Sequence, residues 1–105
     1  MPPMIFSRGV LIAILLSIGG VSIGQAQRPN AAALADSCTS CHGIMGHSSG
    51  RIPSIGGLPR AQLIAELKGF RAQAGNPTIM NRIARGYSDV EIEALADYFS
   101  SIGKP

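Results

Sequence analysis

The sequence predicts an all-α fold of about four short helices, and three observations support that prediction. Apolar residues recur at intervals of about 3.6 in several stretches, which is the period of an amphipathic helix. Residues that cap helix N-termini stand directly before these stretches. No stretch alternates apolar and polar residues as a half-buried β-strand does. We therefore expect helices joined by loops in one small domain.

The first 26 residues have the features of a secretory signal segment. Arg8 gives a positive start, Val10–Ile18 is an apolar or small run, and Gly24-Gln25-Ala26 approximates a small-x-small cleavage site. The apolar run is shorter than the roughly 18 residues that a membrane span needs. We therefore predict export to the periplasm and a mature domain of residues 27–105, with membrane contact only if the segment remains uncleaved.

The mature domain is short and carries little net charge. A chain of this size buries too little apolar surface to be comfortably stable without a covalent staple or a cofactor. The whole sequence has a net charge of +3. One of its nine basic residues, Arg8, lies in the predicted signal segment, so removal of that segment lowers the net charge of the mature domain. There is no run of Lys and Arg and no interleaving of basic and aromatic residues, so nucleic acid is not an expected partner.

The first helix is predicted to run directly into a turn that contains both cysteines. Asn30 is a favourable N-cap, and residues 31–37 favour helix. Leu34, Cys38 and Cys41 follow at i, i+4 and i+7, so they share one helix face.

Two further helices are predicted beyond a loop at residues 43–59, which contains five glycines and two prolines. The second helix begins near Pro59, which suits an early helical position. Its apolar stripe consists of Leu63, Ile64, Leu67 and Phe70. Thr78 caps a short third helix over residues 79–85, and Gly86 is expected to end it in the left-handed conformation.

The last helix has the clearest start and stop signals. Ser88 and Glu91 form a capping box, and Gly103 is expected to close the helix. Its apolar face consists of Ile92, Leu95, Ala96, Phe99 and Ile102.

Residues 38–42 read Cys-Thr-Ser-Cys-His, which is the attachment pattern of c-type haem. Cys38 and Cys41 are one helical turn apart, so both thiols can form thioether bonds to the vinyl groups on one edge of the porphyrin. His42 then lies beneath the ring, where a ring nitrogen can bind iron. Because the motif occurs once, we predict one covalently bound haem c.

Three other kinds of site also use two cysteines at this spacing, and each is an alternative to haem attachment. A thioredoxin-like redox pair requires a βαβ context, which is not predicted here. A structural disulfide is compatible with an exported chain, but it gives His42 no role. A zinc site requires more ligands, and His47 is the only further histidine.

The second face of the haem requires a ligand from a distant part of the chain, and Met80 is the preferred candidate. Met45 and His47 follow His42 so closely that a short tether favours the same side of the ring. Methionine opposite histidine is a common axial pair in cytochromes c. The alternative is that Met80 is an ordinary core residue. A six-coordinate iron has no open position for a substrate, so this pair favours electron transfer.

The carbonyl group of Pro53 is a candidate partner for His42. A metal-bound imidazole usually donates its other N–H to an acceptor, which fixes the orientation of the ring. The alternative is that Pro53 only stiffens its loop.

The chain resembles the small monohaem, all-α cytochromes c, with the cysteines, His42, Pro53 and Met80 in the expected order. Several segments are similar to the cytochrome subunit of flavocytochrome c sulfide dehydrogenase. They are residues 78–88 (TIMNRIARGYS), 95–99 (LADYF), 69–71 (GFR) and 53–55 (PSI). The resemblance covers essentially the whole mature chain.

This resemblance implies a role for each matching residue. Cys38 and Cys41 hold the haem, His42 and Met80 bind the iron, and Pro53 orients His42. The resemblance also places Ile55 against the ring, and Leu95 and Tyr98 against the first helix near Leu34.

The resemblance also implies a function. In that family the cytochrome accepts electrons from a flavoprotein that oxidises sulfide, so this chain is expected to be an electron carrier that is not an enzyme on its own. The alternatives are a free periplasmic shuttle cytochrome and a small haem peroxidase in which Met80 leaves the iron open. Arg71, Arg82 and Arg85 suggest a basic side that docks an acidic partner, although they also suit a solvated face.

Overall fold

The computed structural model describes residues 29–103, together with Pro3, Gly19 and Gly20. Apart from those three residues, the predicted signal segment lies outside the described part of the chain. The elements are α1 (Ala31–His42), a 3₁₀ turn (Ile44–Gly46), α2 (Arg60–Arg71), α3 (Ile79–Ala84) and α4 (Asp89–Ser100). No strand occurs within residues 29–103, so the predicted all-α fold of about four short helices is confirmed.

Helix α1 begins at the predicted cap and continues through the cysteine-containing turn. The side chain of Asn30 accepts a hydrogen bond from the backbone N–H of Ala33 at 3.2 Å. The face that α1 buries differs in part from the predicted one. Ala35 and His42 are buried and Cys38 is half-buried, whereas Cys41 is exposed. The face of α1 that packs against the core is therefore the face that carries Ala35.

Helices α2 and α3 pack together, and both begin where the sequence predicts. Pro59 is the N-cap of α2, and Leu63 is the most deeply buried residue of its stripe. The prediction for Gly86 is wrong, because α3 ends at Ala84 with Arg85 as a right-handed cap, and Gly86 does not adopt a positive φ. The chain instead turns through hydrogen bonds from the next two backbone N–H groups to carbonyl groups of α3.

Helix α4 supplies most of the core and has the predicted capping box. The Ser88 hydroxyl accepts from the Glu91 N–H at 3.2 Å, and a Glu91 carboxylate oxygen accepts from the Ser88 N–H at 3.0 Å. Gly103 does not close the helix, since α4 already ends at Ser100 with Ser101 as its cap. The main cluster of buried side chains consists of Ala35, Leu63, Leu95, Ala96 and Phe99.

Helices α1 and α4 pack against each other through this cluster. Leu95 belongs to the cluster, and Leu34 of α1 and Tyr98 of α4 both pack against it. This packing agrees with the contact that the sequence resemblance implied for the last helix. None of the helices within residues 29–103 has both the length and the apolar character that crossing a membrane requires.

Candidate functional site

The C-terminal end of α1 carries both thiols and the imidazole of the Cys-Thr-Ser-Cys-His motif. Cys38 is half-buried beside the core cluster and Cys41 is exposed. The two cysteines are not joined by the alternative disulfide in this structure. Burial raises the pKa of the Cys38 thiol, and a hydrogen bond with Ser37 acts in the opposite direction. A raised pKa disfavours the thiolate form of Cys38.

The imidazole of His42 is buried and held in a defined orientation. Its Nδ1 atom lies 2.6 Å from the carbonyl oxygen of Pro53. Because a carbonyl oxygen only accepts hydrogen bonds, Nδ1 carries the proton and donates it. In the neutral imidazole, Nε2 then has the free lone pair that a metal ion requires. The structure therefore brings together His42 and Pro53, two of the residues that the sequence singled out.

The loop after α1 folds back on itself and returns Pro53 to His42. The carbonyl oxygen of Gly46 accepts from the backbone N–H groups of both Ile55, at 2.8 Å, and Gly56, at 3.0 Å. The N–H of Ser48 donates to the hydroxyl oxygen of Ser54 at 2.9 Å. These bonds close a hairpin-like loop around residues 46–56, and Pro53 lies near its end.

Glycine is required at the centre of this loop. Gly46 has φ 73°, and a Cβ atom there would lie 2.7 Å from the backbone nitrogen of Gly56 and 3.0 Å from both Ile55 and Phe99. A left-handed conformation combined with such close neighbours makes any other residue at this position destabilising. The sequence identified the loop by its composition but did not single out Gly46.

The other candidate ligands lie on two different elements. Met80 is half-buried on α3, the helix that packs against α2. Met45 lies in the 3₁₀ turn, where it has φ 56°, and His47 directly follows that turn. The Nδ1 atom of His47 is buried without a hydrogen-bond partner among the described residues. Ile55 is half-buried against the core cluster.

The donor set and the apolar surface near it fit a haem group. Two thiols and an oriented imidazole at one helix end are the groups that attach haem c and bind its iron. Large apolar side chains beside the motif and beside Met80 remain exposed: Ile44 by 84%, Met45 by 52% and Ile79 by 67%. Three of the seven buried hydrophobic residues are alanines, so the described core is thin and a large apolar group would extend it. Within residues 29–103 no three His, Cys, Asp or Glu residues cluster as a zinc site requires.

Arg71 forms polar contacts within the described chain that Arg82 and Arg85 lack. It forms an ion pair with Asp89 and donates from Nη1 to the carbonyl oxygen of Tyr87 at 3.1 Å. The hydrogen bond from Arg71 is the main cause of a lowered pKa at Asp89, with further contributions from the charges of Lys68 and Arg71. The side chain of Arg71 is therefore already paired within the chain and is less available to a partner protein. Arg82 and Arg85 are exposed and have no ion pair with any described residue.

The family model that matches this chain is named Cytochrome c, and the match extends over residues 27–103. The chain belongs to the cytochrome c family. Members of this family transfer electrons and carry covalently bound haem c. This cytochrome c is thus an electron carrier with haem c attached, in agreement with its donor set and its fold.

Relatives of this chain include the cytochrome subunit of a sulfide dehydrogenase, the electron acceptor of a thiosulfate dehydrogenase and a cytochrome c-553. The cytochrome subunit of sulfide dehydrogenase from Chlorobaculum tepidum is 40% identical over 68 residues, which cover 65% of this chain and 62% of that protein. The thiosulfate dehydrogenase electron acceptor of Thiomonas intermedia is 37% identical over 76 residues, covering 68% of this chain and 35% of the relative. Cytochrome c-553 of Helicobacter pylori is 27% identical over 92 residues, covering 85% and 96% respectively. The chain thus matches only part of the first two relatives.

Sequence reasoning missed Asn81, the residue directly after Met80. Asn81 is buried, its Oδ1 atom accepts from the Thr78 N–H at 2.7 Å, and its Nδ2 atom donates to the Phe70 carbonyl oxygen at 3.1 Å. The Thr-x-x-Asn spacing resembles a capping box with Asn in place of Glu or Gln, and this pattern could have identified the residue. The bond to Phe70 has no local signal, because it depends on how α2 packs against α3.

Proposed function

We propose that Cys38 and Cys41 attach the haem, and that His42 and Met80 bind its iron on opposite faces. The observation that most directly supports the role of His42 is the hydrogen bond between its Nδ1 atom and the Pro53 carbonyl oxygen, at 2.6 Å. This bond keeps the proton on Nδ1, fixes the ring orientation and leaves Nε2 for the iron. When bound, haem supplies an iron centre that cycles between ferric and ferrous states by one electron.

The polypeptide contributes orientation and exclusion of water rather than acid–base chemistry. His42 is 9% exposed, so its imidazole is largely shielded from solvent. Pro53 holds the ring through a carbonyl group, which carries no titratable proton. Ile55 packs beside the core cluster and contributes an apolar wall near the loop. With two axial ligands in place no iron position is open, so the chain itself is not an enzyme.

For the redox partner, we propose a flavoprotein dehydrogenase that oxidises sulfide. The relative from Chlorobaculum tepidum is a cytochrome subunit of sulfide dehydrogenase, and its 40% identity supports a partner of the same class. The periplasm is the expected location if residues 1–26 direct export. Arg82 and Arg85, which have no ion pair among the described residues, are suited to an acidic rim on that partner.

A free shuttle cytochrome is the second candidate function. The relative from Helicobacter pylori supports it, because that small cytochrome aligns over 96% of its own length. The two candidates share the same iron site and differ in whether a flavoprotein remains bound.

Purification of the native protein from periplasm under mild conditions tests the proposal. A stable complex predicts that the haem absorption co-elutes with flavin, and that sulfide reduces the haem in that fraction. Haem that elutes without flavin and is not reduced by sulfide would favour the free shuttle. A colourless, folded protein would overturn both candidates.

A further inference from the structure

Asn81 uses both ends of its side-chain amide to hold α3 in place. The residue is 6% exposed, and it immediately follows Met80 in the chain. Its Oδ1 atom accepts the Thr78 N–H and completes the cap of α3. Its Nδ2 atom donates to the carbonyl oxygen of Phe70, near the end of α2. One buried amide therefore joins the start of α3 to the neighbouring helix.

A helix as short as α3 requires such a tether. Residues Ile79–Ala84 make fewer than two turns, and a segment of this length is unstable as an isolated helix. The Phe70 carbonyl oxygen already accepts the backbone N–H of Gln73 at 3.0 Å, so the Asn81 amide adds a second hydrogen bond to it. This second bond ties the first turn of α3 to the end of α2 at a position adjacent to the thioether.

We infer that Asn81 is a positioning residue that holds the Met80 side chain ready to bind iron. The inference rests on the proposed axial role of Met80. A thioether is a neutral and weak ligand, so its occupancy depends on how well the protein positions it in advance. If the tether to Phe70 is removed, α3 can move away from α2 and an external ligand competes more successfully with Met80.

The substitution Asn81→Asp isolates this tether. Aspartate retains the size of the side chain and an oxygen that accepts the Thr78 N–H, but its carboxylate has no hydrogen to donate to Phe70. Asn81→Ser, which shortens the side chain without adding a charge, is measured alongside in case the aspartate variant accumulates poorly. Ser88→Ala is the matched control, because it removes a similar cap hydrogen bond at the start of α4 and leaves both hydrogen bonds of Asn81 in place.

Imidazole titration of the ferric holoprotein, followed by the haem absorption spectrum, measures how easily Met80 is displaced. We expect the imidazole dissociation constant to fall about tenfold in Asn81→Asp, since the loss of one buried tether has roughly this effect. We expect no change in Ser88→Ala. In a Met80→Ala background, Asn81→Asp should have no additional effect, because no thioether remains to be positioned.

Each outcome separates this inference from the proposed ligand. If Asn81→Asp binds imidazole no more tightly than the unmodified protein, or if its effect persists without Met80, the positioning role is wrong and the ligand assignment stands. If Ser88→Ala shifts the affinity equally, Asn81 acts through general stability and the positioning role is again wrong. If Met80→Ala alone leaves imidazole affinity unchanged, the ligand assignment fails and this inference fails with it.

Discussion

Replacement of Gly46 by alanine is expected to destabilise the loop that returns Pro53 to His42. Two effects add at this position. An alanine with a positive φ of 73° costs roughly 1–2 kcal/mol, which is partly offset by about 0.4–1 kcal/mol because alanine restricts the unfolded chain. The new Cβ would also lie 2.7 Å from the Gly56 backbone nitrogen, and such overpacking costs about 1–3 kcal/mol more.

Two other glycines separate these effects. Gly75 has φ 76°, and a Cβ atom at that position would have no neighbour within 4 Å, so Gly75→Ala reports the conformational cost alone. Gly50 also has open space around it and no positive φ, so Gly50→Ala reports neither effect. Thermal unfolding of the holoprotein, followed by circular dichroism, should place Tm for Gly46→Ala below that of Gly75→Ala. A difference of about 2 kcal/mol corresponds to roughly 8–16 °C in a domain of this size. Equal Tm values for the two variants would refute the close approach as the reason for glycine at position 46.

Three further predictions concern the haem ligands and one surface ion pair. Met80→Ala should abolish the weak far-red band of methionine-bound ferric haem and open the iron to added cyanide; persistence of the band would exclude Met80 as the ligand. Cys41→Ser should remove one thioether bond and reduce covalent haem attachment, which mass spectrometry of the denatured chain measures, whereas undiminished attachment would contradict its role. Asp89 has a folded-state pKa below its ordinary value, so its pairing stabilises the protein above about pH 4 and is lost as the pH falls further. Urea unfolding should therefore show Asp89→Asn to be less stable than the unmodified chain at pH 7, with a difference that shrinks as the pH falls below about 4; a pH-independent difference would argue against the ion pair.

Local signals predicted the helices, because each signal acts within a few residues. The Ser88 and Glu91 capping box and the Asn30 cap lie where the sequence places them, since a cap depends only on its own first turn. The prediction for Gly86 failed for a related reason. Glycine permits a left-handed terminator without requiring it, and the turn into α4 here uses right-handed geometry instead.

The loop and the tethers could not be predicted, because they depend on distant contacts. Glycine is needed at position 46 partly because Phe99, a residue of the last helix, lies close to it. The acceptor of Asn81 lies 11 residues earlier, on α2. The hydrogen bond between His42 and Pro53 could be suggested from the sequence, because a metal-bound imidazole usually needs an acceptor for its other N–H. Only the geometry shows that Pro53 does more than stiffen its loop.

Phe70 and Arg71, two consecutive residues, hold the two ends of α3. The carbonyl oxygen of Phe70 accepts from Asn81 at the start of the helix, and Arg71 donates to the Tyr87 carbonyl just beyond its end. A helix fastened at both ends to one neighbour moves with that neighbour and does not pivot. If Met80 binds the iron as proposed, the atoms around it would then shift little when the iron gains or loses an electron, and a low reorganisation energy of this kind favours rapid exchange with a redox partner.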